Sequence, residues 1–350
     1  MTFHPVILCG GAGARMWPVS RPDRPKPFVK LFADRSLFQD TVLRLAGLAD
    51  AAAPVIVCGA AHVSQVSEQL RELGVSGQLL VEPEGRDSAP AILAAAAWIA
   101  RKDPSDLALV VASDHYIPDA EAFRAAVARA APAAAAGAIV TFGVRPSAPS
   151  SAYGYIRPGG AAGSAAGVLR IAEFIEKPNA VGALACVDQG FLWNSGNFLF
   201  RPDVLLAEAR RHAPGALDPV LVALGEAVQV GDQLTLGPAF AKADRISIDF
   251  AVMERTAAAA VLPVDYAWSD VGSWDAIWAV SAQDGSRNAL SGRAFAVDST
   301  GCLVQAHDGV SVLALDVEDL VIVADAGKVL VARRSRTPDL KSVIDATDLK

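Results

Sequence analysis

Apolar and polar positions follow two patterns along the chain. Short continuous apolar runs are typical of buried strands, and apolar residues that recur every three or four positions predict helices with one buried face. The predicted strands are Val6–Cys9, Val55–Cys58, Leu79–Val81, Leu107–Ala112 and Ile139–Phe142, and the predicted helices are Val63–Leu73, Ala89–Ala100, Ala120–Ala131 and a segment that contains Phe38, Val42, Leu45 and Ala49. Strands that alternate with helices favour a sheet covered on both faces, so the predicted fold class is α/β with a Rossmann-like, mostly parallel sheet.

Beyond residue 287 the helical spacing gives way to short apolar runs separated by Gly and Asp turns. Many short strands with turn residues between them predict a small all-β domain. We therefore expect two domains, residues 1–287 and residues 288–350. The runs in the second domain are Ala294–Val297, Leu303–Val304, Val310–Leu315, Leu320–Val323 and Val329–Ala332.

Composition and charge exclude several classes of protein. A chain of 350 residues with 52% hydrophobic and 20% charged residues is globular and not disordered. A net charge of −7 argues against non-specific binding of nucleic acid. The longest clean apolar run, Ala89–Ala100, is shorter than the roughly 20 residues that span a bilayer, so no membrane partner is expected.

The cysteines and the N-terminus favour a reducing compartment. Cys9, Cys58, Cys186 and Cys302 are far apart and lack the paired spacing of zinc or redox sites. The N-terminus reaches a predicted strand within a few residues and has no signal-peptide layout. We therefore expect a cytoplasmic protein.

A glycine-rich turn follows the first predicted strand. Gly10, Gly11 and Gly13 permit positive φ and close backbone approach, so the turn can direct several N–H groups at one anion. Arg15 and Lys26 add positive charge to a chain that is acidic overall. The combination predicts a phosphate site, and the alternative is a loop whose glycines serve only the turn.

Two common phosphate motifs do not fit this turn. No Gly-Lys-Ser/Thr follows the glycines, which excludes the P-loop. The order Gly-Gly-x-Gly-x-Arg also differs from the dinucleotide fingerprint. Pro18 and Pro22 interrupt the helix that would carry a pyrophosphate in that motif.

The turn and its flanks resemble the signature of a known family. Gly-Gly-x-Gly-x-Arg-x-Trp-Pro-x-Ser-Arg at residues 10–21, followed by Pro-Lys-Pro-Phe at residues 25–28, is similar to the sugar-nucleotide pyrophosphorylases. More narrowly, it resembles the mannose-1-phosphate guanylyltransferases (GDP-mannose pyrophosphorylases). The resemblance implies a nucleotidyltransferase fold of the GT-A-like kind, with a small left-handed β-helix-like domain after it.

The resemblance gives the glycine turn and its basic residues separate roles. The backbone N–H groups of Gly10, Gly11 and Gly13 would cradle GTP. Arg15 and Lys26 would be catalytic, because they would neutralise the charge that develops on the leaving pyrophosphate.

Residues 82–90, Glu-Pro-Glu-Gly-Arg-Asp-Ser-Ala-Pro, form a predicted loop that leads into a helix capped by Asp87 or Ser88. They resemble the Glu-Pro-x-x-Arg-Asn-Thr-Ala-Pro-Ala stretch of the guanylyltransferases, which lies along the nucleotide base. The resemblance assigns Glu82, Arg86 and Ser88 to nucleotide binding. Guanine presents adjacent N1–H and N2–H donors, which an acceptor such as Glu82 or a backbone carbonyl would complement. The alternative is a capped turn without further function.

Two aspartates are candidate metal ligands. Asp114 follows the predicted strand Leu107–Ala112, and a carboxylate at a strand end beside a phosphate site suits Mg²⁺. Alternatively, Asp114 caps the following turn. The resemblance places the metal on Asp114 and on Asp270 of the Trp-Ser-Asp-Val-Gly-Ser-Trp segment, so Mg²⁺ is the expected cofactor.

The resemblance assigns five further residues to the sugar phosphate. Gly154 lies in Tyr-Gly-Tyr-Ile, a predicted strand whose glycine would admit a ligand. Lys177 would contact the phosphate and Glu176 the sugar hydroxyls, although an exposed pair of this kind is ordinarily worth little. Asn194 would read a sugar hydroxyl or lie in a plain turn. Asp249 is expected to cap a helix in either interpretation, and the resemblance also places it under the sugar site.

The reaction that the resemblance implies is nucleotidyl transfer, in which GTP and mannose 1-phosphate give GDP-mannose and pyrophosphate. Three motifs depart slightly from the family pattern, so another sugar 1-phosphate or another nucleotide is an alternative. A non-catalytic sugar-nucleotide sensor is the alternative from a different class, and the charged residues at positions 15, 26, 114, 177 and 270 weigh against it. The β domain of relatives often serves subunit contacts, so a homodimer is expected.

Overall fold

The computed structural model describes residues 1–10, 14–32, 34–163, 165–347 and 349. The chain divides into two units. The first unit comprises Met1–Gly10, Thr41–Ser113 and Ile117–Trp268, and the second comprises Gly11–Asp40, Asp114–Tyr116 and Ser269–Lys350. The domain division after residue 287 stays a prediction.

The apolar runs and the helical spacing form the elements that they predict. Helix α2 (Val63–Leu73) is capped by Gly74, whose φ of 65° is the left-handed conformation that glycine favours at helix C-termini. Helix α1 (Leu37–Ala46) ends before Ala49. In the described part of the chain, the helices are all too short or too polar to cross a membrane. From the N-terminus to Trp268, the α-helices and β-strands are β1 (Phe3–Cys9), α1 (Leu37–Ala46), β2 (Val55–Gly59), α2 (Val63–Leu73), β3 (Gln78–Glu82), α3 (Ser88–Ala100), β4 (Leu107–Ala112), α4 (Ala120–Ala135), β5 (Ile139–Val144), β6 (Tyr155–Ala161), β7 (Leu169–Ile175), α5 (Ala180–Asp188), β8 (Leu192–Phe200), α6 (Pro202–His212), α7 (Pro214–Gly225), β9 (Val228–Val230), β10 (Gln233–Thr235) and β11 (Ala259–Val264).

The described residues of the first unit form an 11-stranded sheet in the order β5-β11-β7-β6-β8-β4-β1-β2-β3-β10-β9. Strands β3, β2, β1 and β4 are parallel, because crossover connections return the chain to the same end of the sheet. Strand β8 runs antiparallel to β4 and to β6, and β6 forms an antiparallel pair with β7. The predicted α/β class is confirmed, with a parallel centre that antiparallel strands extend.

The parallel strands end along one edge of the sheet. Gly59 at the end of β2 pairs with Glu82 at the end of β3. The Ser113 N–H, directly after β4, donates to the Leu8 carbonyl oxygen in β1 at 3.1 Å. Gly10, Glu82 and Ser113 therefore lie along this edge, which is where ligands bind in open α/β sheets.

Helix α3 lies in the core of the first unit. Every residue from Ala89 to Ala97 is buried, and the helix packs against α6 and α7. Alanine side chains are short, so they permit close approach of backbone elements on more than one side of the helix. The buried helix thereby fixes the position of its own first residue, Ser88.

The second unit contains the predicted all-β segment. Its described strands are β12 (Ala289–Val297), β13 (Leu303–Leu315), β14 (Leu320–Asp325) and β15 (Lys328–Arg333). They form a 4-stranded sheet in this order, in which β12, β13 and β14 are parallel. The predicted all-β segment is therefore confirmed. The two runs predicted on either side of residue 307 form one strand, which continues past a bulge opposite Gly292. The helices of this part of the chain are α8 (Trp274–Val280) and α9 (Leu340–Asp345).

Candidate active site

Glu82 ends strand β3 as a buried carboxyl group. The residue is 8% exposed, and its Oε1 atom has no hydrogen-bond partner among the described residues. Burial raises the pKa of Glu82 to about 7. Because a buried polar atom without a partner costs free energy, a ligand that donates a hydrogen bond to Oε1 would be stabilised here.

Two side-chain hydrogen bonds hold the start of helix α3. Asp87, at a φ of 68°, accepts a hydrogen bond from the Ser88 N–H at 2.7 Å, which confirms the predicted cap. The Ser88 hydroxyl oxygen accepts a hydrogen bond from the Ile248 N–H at 3.0 Å. Ser88 therefore ties the predicted base-binding stretch to the segment that carries Asp249.

Arg86 and Gly10 are more accessible than Glu82. The Arg86 guanidinium pairs with Glu84, while its buried Nε has no partner among the described residues. Gly10 is exposed, and a Cβ atom at this position would meet no heavy atom within 4 Å. Gly11 and Gly13, which are predicted to cradle GTP with Gly10, lie outside the described residues.

Gly154, Glu176 and Asn194 converge although they are distant in sequence. The Asn194 N–H donates to the Gly154 carbonyl oxygen at 2.8 Å. A Cβ atom on residue 154 would lie 2.5 Å from Glu176 Oε2 and 3.5 Å from Asn194 Cβ. The missing side chain of Gly154 therefore makes room for the Glu176 carboxylate in its observed position.

Asn194 in turn contacts Asp249. Its Nδ2 donates a hydrogen bond to Asp249 Oδ1 at 2.9 Å. Burial, reinforced by the neighbouring Glu176 charge, raises the pKa of Asp249 to about 7, and the hydrogen bond from Asn194 opposes this rise. The predicted helix cap is wrong: Asp249 begins a helical turn, Asp249–Met253, without a capping bond from its side chain. The Asn194 amide binds the carboxylate instead.

Lys177 completes this group at the surface. Its side chain is 64% exposed, and its ammonium lies 3.1 Å from Glu176 Oε1. Its φ of 45° is uncommon for a residue with a side chain, so the surrounding structure holds the backbone there. The five residues predicted to bind the sugar phosphate thus form one group in the first unit, which we call the sugar-phosphate cluster (Gly154, Glu176, Lys177, Asn194 and Asp249).

In the second unit, Lys26 joins the two predicted metal ligands. The Lys26 ammonium donates to Asp114 Oδ2 at 2.8 Å and to the Asp270 carbonyl oxygen. The Lys26 side chain is 6% exposed. The segments that carry the aspartates are adjacent, because Tyr116 and Ser269 exchange backbone hydrogen bonds at 2.9 and 3.1 Å.

The charge state of Asp114 depends on its neighbours. Burial alone would raise the pKa of Asp114, but the Lys26 ammonium and His115 outweigh burial and hold this pKa below its usual range. Asp114 is therefore a carboxylate at neutral pH. This carboxylate is paired with the Lys26 ammonium.

Asp114 and Asp270 supply two carboxylates, the type of oxygen donor that suits a magnesium ion. The described residues contain no group of three His, Cys, Asp or Glu side chains that could hold a metal. Mg²⁺ is usually bound by one or two carboxylates, and water and substrate phosphate supply its other ligands. Asp270 Oδ1 accepts a hydrogen bond from the Gly272 N–H at 3.0 Å, which orients this carboxylate.

Arg15 lies in a single helical turn, Ala14–Met16, of the second unit. Its side chain is exposed. An exposed arginine presents several N–H donors to an incoming polyphosphate without breaking an existing buried contact.

Two regions of the chain match family models. Residues 4–287 match the model described as Nucleotidyl transferase, and residues 292–346 match the model described as MannoseP isomerase/GMP-like beta-helix domain. The chain belongs to the nucleotidyl transferase family. It is 40% identical over 345 residues to the mannose-1-phosphate guanylyltransferase of Escherichia coli, which covers 97% of this chain and 73% of that protein. It is also 40% identical over 347 residues to the alginate biosynthesis protein AlgA of Pseudomonas aeruginosa, covering 98% of this chain and 72% of AlgA.

The nucleotidyl transferase fold recurs in a solved structure from Thermus thermophilus, described as a mannose-1-phosphate geranyltransferase. The two chains share 34% identity with a TM-score of 0.87, and the match covers 99% of each. The resemblance seen in the motifs is therefore confirmed, and the chain is a nucleotidyltransferase enzyme. The specific roles of the site residues stay predictions.

Sequence reasoning missed two contacts in this enzyme. The ion pair between Lys26 and Asp114 joins residues that the motifs assign to different tasks. Thr141, in the middle of β5, is fully buried and hydrogen-bonded to Asn194 at 2.9 Å. A lone threonine in the apolar run Ile139–Phe142 was the available signal, because a buried hydroxyl requires a partner.

Proposed function

We propose that this enzyme transfers GMP from GTP to mannose 1-phosphate, releasing pyrophosphate and forming GDP-mannose. The observation that carries the proposal is the sugar-phosphate cluster, in which residues from four separate segments meet. The Escherichia coli relative is a mannose-1-phosphate guanylyltransferase, and this supports the choice of substrates.

The chemistry requires charge and position more than a base. A sugar phosphate is largely dianionic at neutral pH, since its second pKa is about 6. Its oxygen can therefore attack the α-phosphorus without a general base. The protein would bring two polyanions together and place that oxygen in line. Lys177 would hold the attacking phosphate, and Glu176, Asn194 and Asp249 would bind the sugar hydroxyls.

The leaving pyrophosphate needs positive charge. Arg15 and Lys26 would neutralise it, and the backbone N–H groups of Gly10, Gly11 and Gly13 would cradle GTP. Asp114 and Asp270 would hold Mg²⁺, which supplies positive charge to phosphate oxygens when bound. The low pKa of Asp114 supports this part of the proposal.

Residues along the sheet edge that carries Glu82 would select the base. Guanine donates through N1–H and N2–H, and Glu82 Oε1 is a buried acceptor with no partner among the described residues. Arg86 and Ser88 would bind the same nucleotide. Adenine lacks that pair of adjacent donors, so GTP would be preferred to ATP.

Pyrophosphate release tests the proposal directly. GTP, ATP, UTP and dTTP would be compared, each with mannose 1-phosphate and with glucose 1-phosphate, in the presence of Mg²⁺ and after its removal by a chelator. Release confined to GTP with mannose 1-phosphate, and lost on chelation, is the expected result. Release with another pair would reassign the base and sugar contacts. Nucleotide binding without release from any pair would favour the sensor.

We also infer a cytoplasmic homodimer. Phe295 and Leu313 lie opposite each other on neighbouring strands of the β-helix-like domain and are 55% and 61% exposed. Exposed apolar side chains that adjoin in this way are typical of subunit contacts. Sedimentation velocity would show a dimer that Leu313→Glu dissociates. A wild-type monomer at micromolar concentration would contradict the inference.

A further inference from the structure

Thr141 is a buried polar residue beneath the sugar-phosphate cluster. It is 0% exposed, in strand β5. Its hydroxyl donates to Asn194 Oδ1 at 2.9 Å and lies 3.1 Å from the Asn197 carbonyl oxygen. Both partners are oxygen acceptors, so the hydroxyl acts here as a donor.

The Gly196 N–H fixes which end of the Asn194 amide faces which neighbour. This N–H donates to Asn194 Oδ1 at 3.2 Å. A backbone N–H can only donate, so the atom that it meets is the amide oxygen and not the nitrogen. Thr141 donates to the same oxygen. The Asn194 Nδ2 is therefore directed at Asp249, 2.9 Å away.

The opposite orientation of the amide would be unfavourable. It would turn Asn194 Oδ1 toward the Asp249 carboxylate, so that two acceptors would face each other. It would also turn Nδ2 toward the Gly196 N–H, so that two donors would meet. The Thr141 hydroxyl adds a second donor to the oxygen side and thereby strengthens the observed orientation.

The observed orientation creates a pair of complementary groups. The Asn194 amide nitrogen has two hydrogens, and Asp249 accepts one of them. A ligand hydroxyl next to this pair can accept the second hydrogen and donate its own proton to the carboxylate. Sugar hydroxyls both donate and accept, so they match this pair, whereas a deoxy position does not.

We propose that Thr141 is a positioning residue that selects the sugar of the substrate by fixing the orientation of the Asn194 amide. The inference rests on the proposed function, since it concerns how the sugar-phosphate cluster reads a hexose 1-phosphate. Thr141 itself touches no substrate in this account and acts through Asn194.

Three substitutions separate the hydroxyl from the packing of the side chain. Thr141→Val keeps the shape and removes the hydroxyl, Thr141→Ala removes both the hydroxyl and a methyl group, and Thr141→Ser keeps the hydroxyl. Thr337→Val is the matched control, because Thr337 is 1% exposed and its hydroxyl donates to the Arg334 carbonyl oxygen in the second unit. Thermal unfolding of each variant establishes that it folds.

The measured quantities are the KM for mannose 1-phosphate and the KM for GTP, which the substitutions should affect differently. Thr141→Val and Thr141→Ala should each raise the KM for mannose 1-phosphate by ~10-fold, the effect of losing roughly one hydrogen bond to a polar group. The KM for GTP should change less than about twofold, since the substitutions act only on the sugar side. Thr141→Ser should restore the wild-type KM, and Thr337→Val should leave both constants unchanged.

Other outcomes would overturn the inference. Equal rises in both KM values, a Thr141→Ser variant as impaired as Thr141→Val, or an unchanged KM for the sugar phosphate would each assign Thr141 a merely structural role. Failure of the proposed function is distinguishable, because it would appear in the wild type as no release with mannose 1-phosphate. The same variants would then be compared with whichever sugar phosphate the wild type accepts or binds.

Discussion

At the scale of single residues, Glu82 combines burial with an acceptor atom that has no partner among the described residues. Glu82→Gln replaces one carboxylate oxygen with a donor, which would face the donors of guanine. The preference for GTP over ATP, measured as the ratio of kcat/KM values, should fall by at least ~10-fold, because hydrogen bonds to charged groups contribute about 1.5–3 kcal/mol. An unchanged ratio would remove the side chain from base selection.

The same substitution has an effect without any ligand. Burial raises the pKa of Glu82 from 4.5 to about 7, so the folded protein holds this proton more tightly than the unfolded chain does. The stability that this group contributes is complete below pH 4.5 and is lost as the pH rises through 7. Between these limits the wild type should lose up to about 3 kcal/mol relative to Glu82→Gln. Urea unfolding of both proteins across this range measures the difference, and parallel curves would contradict the burial argument.

Gly154 allows a second test at the residue scale. In Gly154→Ala the new Cβ would lie 2.5 Å from Glu176 Oε2, so the Glu176 carboxylate must move. The KM for the sugar phosphate should rise by ~10-fold while the KM for GTP stays unchanged. Gly225→Ala is the control, because a Cβ at that position meets nothing within 4 Å. If Gly154→Ala and the wild type have the same KM for the sugar phosphate, Glu176 does not take part in sugar binding.

At the scale of elements, helix α3 packs closely against its neighbours because most of its buried side chains are alanines. Ala95 is 0% exposed, so Ala95→Leu inserts three carbon atoms into a packed core and should destabilise the protein by about 1–3 kcal/mol. Ala125→Leu, on the exposed face of α4, should change stability by less than about 0.5 kcal/mol. Denaturant midpoints of the two variants make the comparison. Similar midpoints for the two variants would contradict the tight packing around Ala95.

The elements also show where sequence reasoning succeeds. Continuous apolar runs such as Leu107–Ala112 became strands with the predicted bounds, because burial on both faces leaves few other arrangements. The direction of β6, β7 and β8 was not predictable in this way. Antiparallel pairing there follows from short connections and from partners far apart in the chain, which local periodicity does not encode.

The contacts of the candidate site also include some that the sequence predicts and some that it does not. Motifs placed Gly154, Glu176 and Asn194 in one group, and the structure brings them together. The partner of Asp249 was not predictable, because an aspartate before a helical turn is usually a cap and the competing Asn194 amide lies 55 residues away. Lys26 is a similar case, since its partner Asp114 is 88 residues away.

At the scale of the whole molecule, the proposed neutralisation of charge rests on residues of the second unit. Arg15→Ala and Asp114→Ala, in the second unit, should each lose at least ~100-fold in kcat, as expected when one preorganised electrostatic contact is removed. Arg336→Ala is the control, because Arg336 is exposed and pairs only with nearby Asp339 among the described residues. Single-turnover rates at saturating substrates measure the effect. A loss below ~10-fold would exclude the residue concerned from the chemical step.

The burial of helix α3 also affects amide hydrogen exchange. Its backbone N–H groups from Ala91 to Ala97 are enclosed by side chains of the first unit, so solvent reaches them only when that core opens. Their exchange rates in deuterated buffer should therefore report the global free energy of opening. The exposed strand β9, by contrast, should exchange through local fraying. One exchange experiment on the native enzyme would thus separate substitutions that weaken the first unit from those that alter only its chemistry.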